Sequence, residues 1–334
     1  MQTLIHNLNP EQSAAVTLPN ESALILAGAG SGKTRVLTTR IAWLIVTGQI
    51  SPGGVMAVTF TNKAAKEMQA RLSAMLPINT RGMWIGTFHG LCNRLLRAHF
   101  LDASLPQTFQ ILDSQDQLSM IKRILKAHQI DDAKYPPRSA VYFINNAKEQ
   151  GLRADQLMTH DPSSRQFSEI YRIYEQQCQR DGVVDFAELL LRTVELLTNN
   201  QPLREHYQSR FQHILVDEFQ DTNDLQYRWI KLLAGMSGSN SSIKSAAVLA
   251  VGDDDQSIYA FRGANVGNMA SFERDFQVKH RIKLEQNYRS HGHILDAANA
   301  LISNNTERLG KNLRTDAGLG ERIRIQEASS DTEE

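Results

Sequence analysis

The sequence predicts an α/β protein built on a parallel sheet whose strands are covered on both faces. Two observations carry that expectation. Short, near-continuous aliphatic runs recur at Leu24 to Ala27, Val55 to Phe60, Met83 to Thr87, Ile214 to Asp217 and Ala247 to Asp253, and such runs suit strands sandwiched between helix layers. Amphipathic stripes lie between several of them: Leu37, Ile41, Leu44 and Ile45 repeat at helical spacing, as do Ala65, Met68, Leu72, Met75 and Leu76. Sheets of this kind bind ligands beyond the carboxyl ends of their strands, so chemistry is expected where each run gives way to polar residues.

The first run opens into Ala27-Gly28-Ala29-Gly30-Ser31-Gly32-Lys33-Thr34. Closely spaced glycines let backbone N–H groups turn inward on phosphate oxygens, and the helix that follows adds its N-terminal donors and dipole. Lys33 supplies a point charge for the β- and γ-phosphates and the Thr34 hydroxyl a ligand for Mg²⁺. Ala27 stands where the pattern has its first glycine, and a small residue still fits there. A glycine-rich turn with no ligand would account for the glycines but not for the adjoining Lys-Thr.

The next two runs end in Thr59-Phe60-Thr61-Asn62-Lys63 and Gly86-Thr87-Phe88-His89-Gly90, hydroxyl, amide and imidazole groups able to bond phosphate. From about Leu91 to Ser209 the pattern is helical, broken at Tyr135-Pro136-Pro137 and His160-Asp161-Pro162, which predicts a helical domain inserted into the sheet domain. Ile214-Leu215-Val216 then delivers Asp217 and Glu218 at a strand tip. Asp217 suits Mg²⁺, and Glu218 suits the orientation and deprotonation of an attacking water. Gly235 to Ser245 reads as a surface loop. Beyond it, Val251-Gly252-Asp253-Asp254-Asp255-Gln256 repeats the acidic strand-tip plan, with Gln256 able to reach toward a γ-phosphate. In Ser257-Ile258-Tyr259-Ala260-Phe261-Arg262-Gly263 aromatics alternate with a cation, which fits stacking on unpaired bases and equally fits core aromatics. The segment from Arg281 predicts a strand, a helix through Ile294 to Leu301 and a further strand at Arg322 to Gln326, the opening of a second domain. Asp331 to Glu334 reads as an acidic, frayed end.

A chain of 334 residues has material for more than one packed unit. No run reaches the length of a membrane span and no leader pattern opens the chain, so a cytoplasmic location is expected. Cys92 and Cys178 have no metal-type spacing and read as reduced, buried thiols. A net charge of zero excludes wholesale electrostatic attachment to nucleic acid, and leaves local clusters such as Lys122, Arg123 and Lys126 or Arg94, Arg97 and His99 as candidate contacts or solvated helix faces.

These motifs, in this order, resemble superfamily 1 DNA helicases of the UvrD/Rep/PcrA group. The resemblance runs from Leu8-Asn9-Pro10-Glu11-Gln12 to about Gly320, through Ala27 to Thr34, Thr59 to Ala65, Gly86 to Gly90, Leu215 to Thr222, Val251 to Ala264 and Leu284 to Ser290. It implies a RecA-like P-loop NTPase core at residues 1–90 and 210–280, an all-helical insertion at 91–209 and the start of a second RecA-like core at 281–334. It further implies ATP and Mg²⁺ as cofactors, an adenine contact from Gln12, nucleotide contacts from Arg35 and Arg71, Tyr288 stacked on the base and Arg289 reaching the γ-phosphate. Single-stranded DNA, and junctions of single with double strand, would be held by Phe60, Thr61, Asn62, Thr87, His89, Tyr259, Phe261 and Arg262, with Phe261 standing where the group usually has tryptophan. DNA-repair proteins are the implied partners. The family's later motifs, its arginine finger among them, do not occur in this sequence, so the expectation is the N-terminal half of a 3′ to 5′ motor, able to bind ATP and DNA, slow in hydrolysis and unable to unwind alone. Two rivals remain: the helicase subunit of a recombination nuclease, and a catalytically idle ATP- or DNA-binding docking module, against which the intact Lys33, Asp217, Glu218, Gln256 and Arg289 weigh.

Overall fold

The structure is a computed structural model that describes residues 2–158, 161–236, 245–258, 263–265, 267–305 and 308–325. Six strands, β1 (Ala23–Ala27), β2 (Val55–Thr59), β3 (Trp84–Thr87), β6 (His213–Val216), β7 (Ala247–Gly252) and β8 (His280–Leu284), form one sheet in the order β3-β2-β6-β7-β1-β8. Two short strands, β4 (Gln110–Ile111) and β5 (Val183–Val184), pair with each other elsewhere. Every pairing in the large sheet is parallel, and registers such as Ile25↔Val251, Leu215↔Leu249 and Val58↔Val216 bring all carboxyl ends to one edge.

The central strands β1, β2, β6 and β7 are buried along their whole length, as parallel strands covered on both faces must be. Their residues alternate between two cores. Leu24, Leu26, Met56, Val58, Ile214, Val216, Val248 and Ala250 face one layer with the helices Phe88–Ala98, Phe186–Asn199 and Asp224–Ala234. Ala23, Ile25, Val55, Ala57, Leu215, Leu249 and Val251 face the other with Pro10–Thr17, Lys33–Val46 and Asn62–Met75. The result is the three-layer α/β arrangement that the runs and stripes predict. No described helix is long and apolar enough to cross a membrane.

Two features differ from the sequence expectation. The helices of 91–209 divide between two cores: one gathers Met120, Ile124, Ile144, Ile170, Tyr171 and Tyr174 from the helices Ser114–Ala127, Pro137–Glu149 and Pro162–Asp181. The flanking helices belong to the sheet layer, because Leu91, Cys92, Leu95 and Leu96 and then Leu189, Leu190, Val194 and Leu197 turn their stripes onto the strands. Second, the strand expected to open another core at Arg281 is the edge of the first sheet, paired with β1 from Ala23↔His280 to Ala27↔Leu284. Its alternation, Arg281 and Lys283 outward and Leu284 buried, is that of an edge strand. The strand expected at Arg322 to Gln326 does not form over Arg322–Ile325, where Ile323 and Ile325 are exposed and find no strand to pair with; Gln326, residues 331–334 and most of the expected surface loop, 237–244, lie outside the described residues.

Candidate nucleotide and DNA site

The phosphate loop follows β1. Gly30 (φ 68°) and Gly32 (φ 87°) hold left-handed backbone that a side chain resists, and a Cβ on Gly32 would stand 2.8 Å from Gln12 Nε2. Four successive carbonyls of the loop accept hydrogen bonds, one from within the loop and three from outside it. Ser31 Oγ donates to Gly28 O at 2.8 Å, Asn287 Nδ2 to Ala29 O at 2.6 Å, the Tyr288 N–H to Gly30 O at 2.9 Å and Gln12 Nε2 to Ser31 O at 2.9 Å. Four successive oxygens are thus occupied, and the N–H groups of Gly28 and Ser31 are bonded to Leu284 O and Gly28 O, so the loop's other amides are the donors open to an incoming anion. Asn9 caps the helix Pro10–Thr17 and also donates Nδ2 to the half-exposed Tyr288 hydroxyl at 3.0 Å. Gln12 and Tyr288, both expected at the base, thus flank the loop together.

Lys33, in the first turn of the next helix, donates Nζ to Glu218 Oε2 at 2.8 Å. Glu218 follows β6 in left-handed backbone, φ 50° and ψ 46°, unusual for a residue with a Cβ and typical of functional turns. Its N–H donates to Asp217 Oδ1 at 3.0 Å. Burial, and then the charge of Glu218, push the Asp217 carboxyl up to about 6, with Lys33 opposing; Asp221 rises to about 6 for the same causes. Asp217 and the Thr34 hydroxyl are hard oxygen donors, and a buried carboxylate reluctant to ionise gains from a divalent cation, so this donor set fits Mg²⁺.

The remaining nucleotide candidates are placed less directly. Arg289 is exposed beside Gly30, its Cβ 2.8 Å from where a Gly30 Cβ would stand. Arg35 is exposed in the first helical turn. Arg71 lies exposed on Asn62–Met75, paired with Glu67, and among the described residues no hydrogen bond or ion pair links it to the loop. Gln256 donates its amide to Asp253 and faces solvent. Two cations that sequence reading missed lock this acidic turn. Lys311, 5 % exposed, meets Asp253, Asp254 and Asp255, while Arg308 makes paired bonds to Asp255 at 3.0 and 2.7 Å.

Beside β2 and β3 lies a cleft of about 560 Å³ lined by Phe60, Thr61, Thr87 and His89, with Phe186, Asn145, Asn223 and the carboxylates of Asp113, Glu149 and Asp221. Thr61 and Thr87 each cap the helix that follows, accepting from the N–H groups of Ala64 and Gly90. Phe60 meets Phe88 edge-on at 5.9 Å, and His89 meets Phe186 at 6.1 Å. Burial holds His89 below the ordinary imidazole range and keeps it uncharged at neutral pH. Among the described residues no lysine or arginine lines this cleft, so it suits base faces and edges better than phosphates. Asn62 opens its helix at the rim, exposed. Tyr259, Phe261 and Arg262 lie outside the described residues.

Residues 8–277 match the family model of the UvrD/REP helicase N-terminal domain. The chain belongs to the UvrD/REP helicase family. Residues 282–334 match the UvrD-like helicase C-terminal domain. The chain is 52% identical to DNA helicase II of Haemophilus influenzae across 99% of this chain and 45% of that protein, and 52% identical to DNA helicase II of Escherichia coli across the same shares. It is 42% identical to ATP-dependent DNA helicase PcrA of Staphylococcus epidermidis, across 100% of this chain and 45% of the relative. The chain therefore spans about half the length of these curated relatives. Asn287 and Lys311 meet partners that lie 258 and 56 to 58 positions away in sequence.

Proposed function

We propose that this chain is the nucleotide-binding, strand-gripping part of an ATP-dependent 3′ to 5′ DNA helicase of DNA repair. The observation that carries the reading is the meeting of Lys33, Asp217 and Glu218 beside a loop with four successive carbonyls occupied by hydrogen bonds. A triphosphate entering the loop competes with Glu218 for Lys33. Once released, the carboxylate is free to orient water and accept its proton. Thr34 and Asp217 would hold Mg²⁺, which when bound would supply neutralisation of charge on the phosphates. Gln12 and Tyr288 bind the adenine, Arg35 assists the nucleotide together with Arg71 once that side chain leaves Glu67, and Gln256 with Arg289 senses the γ-phosphate. Phe60, Thr61, Asn62, Thr87 and His89 take unpaired bases, together with Tyr259, Phe261 and Arg262, at junctions where DNA-repair proteins act. The sheet domain with its helical insertion serves as the first motor core, and the segment beyond β8 begins the second.

ATPase assays of the 334-residue chain and of the complete reading frame, with and without single-stranded DNA, test this. ATP binding with slow, DNA-insensitive turnover is expected of the chain, and strong DNA stimulation of the complete frame. Rapid DNA-stimulated turnover by the chain alone would refute its being half a motor, and failure to bind ATP would refute the site.

A further inference from the structure

Gln220 is a buried polar residue beside Glu218 that has no part in the proposed function. It lies in the 3-10 turn Phe219–Asp221, which the left-handed Glu218 folds back beneath the strand ends. Its side chain is 1 % exposed, and both ends of its amide are engaged. Nε2 donates to Glu218 Oε2 at 2.9 Å, and Oε1 accepts the N–H of Asp253 at 2.9 Å. A reversed amide would set NH₂ against N–H and carbonyl against carboxylate, so the network admits one orientation. Glu218 follows β6 and Asp253 follows β7, its neighbour in the sheet, so this one side chain joins the two strand tips. Gly252 makes room for it: a Cβ there would stand 2.7 Å from Gln220 Oε1.

The same Glu218 oxygen receives Lys33 at 2.8 Å. When a phosphate draws Lys33 away, Gln220 remains as the donor that fixes the carboxylate. Among the described residues no hydrogen bond engages the other oxygen, Oε1, which is left to meet water.

Resting on the ATPase reading, we propose that Gln220 is a positioning residue that holds Glu218 for attack and locks it to the turn Asp253–Gln256, so that base and γ-phosphate reader are set as one unit. The test compares Gln220→Leu, the isosteric Gln220→Glu, Gly252→Ala and Lys33→Ala in the complete reading frame, by steady-state ATPase at saturating single-stranded DNA. We expect kcat to fall at least tenfold in both Gln220 variants while KM for ATP stays within threefold. Gly252→Ala should lower kcat in the same way, and adding it to Gln220→Leu should cost nothing more. A kcat within twofold of the parent in Gln220→Glu, or losses that multiply in the double variant, overturns the proposal. Should Gln220→Leu fail to fold by circular dichroism, the isosteric variant decides. Lys33→Ala separates the two readings: if it is inactive and the Gln220 variants are unimpaired, only the positioning role falls, whereas activity retained in Lys33→Ala removes the ATPase site itself.

Discussion

Lys33 is a cation with a choice of anions. Its ammonium is bonded to Glu218 and only slightly exposed, so under the proposed function a triphosphate would have to offer it more than a single carboxylate does. We expect Lys33→Ala to lower ATP turnover by at least about 10²-fold, the scale seen when one preorganised donor to a developing anion is removed; steady-state ATPase of the complete reading frame is the check, and near-parental turnover would mean the phosphate cradle is misassigned. That Lys33 meets Glu218, with Asp217 beside it, was legible from residue type and spacing. Lys311 was not, since a lone lysine in a polar stretch carries no sign that three aspartates from another strand tip will surround it.

At the scale of elements, the joint between insertion and sheet layer is ionic. Asp185 caps the helix Phe186–Asn199 through the Glu188 N–H at 2.7 Å, and its other oxygen accepts Lys148 Nζ at 2.7 Å and the Tyr174 hydroxyl at 2.8 Å. Lys148, from the insertion helix Pro137–Glu149, also meets Glu188 at 2.9 Å, and Arg153 and Arg192 complete the network. Removing one partner of a buried pair leaves the others uncompensated, so Lys148→Met should cost about 3–5 kcal/mol in thermal or denaturant unfolding; a loss below about 1 kcal/mol would show the joint to be incidental. Burial alone would raise Glu188, but Lys148, Arg153 and Arg192 hold it well below the usual carboxylate range. Its stabilisation is therefore complete above about pH 4.5 and is lost as acid protonates it. The helices of this region were legible from their stripes. Their division between two cores was not, because a stripe shows that a face is buried without showing against what.

For the whole molecule, the sheet's common carboxyl edge carries the nucleotide loop, the strand-tip acids and the polar ends that open on the base-sized cleft. The segment after β8 is fastened across that edge by Arg308 and Lys311 on the acidic turn, by Asn287 and Tyr288 on the loop, and by Leu313 packed over Gly28. Lys311→Met should leave Asp253, Asp254 and Asp255 facing one another, lower stability by about 3 kcal/mol and make residues 285–325 the first site of limited proteolysis. Cleavage elsewhere first, with this segment intact, would show that the lysine does not fasten it.

What the sequence determined by itself was local: where strands run, where glycines bend the chain, which acids end a strand. Hydrophobic period and backbone preference act over a few residues and are written there directly. The tertiary structure alone decided which of those tips meet, that Gln220 and Lys311 join them, that two of the loop's carbonyls accept from residues far along the chain, and that the strand at His280–Leu284 completes the first sheet. Strand order sets those meetings, and order depends on how whole helices and strands pack, a property that no short stretch of sequence contains.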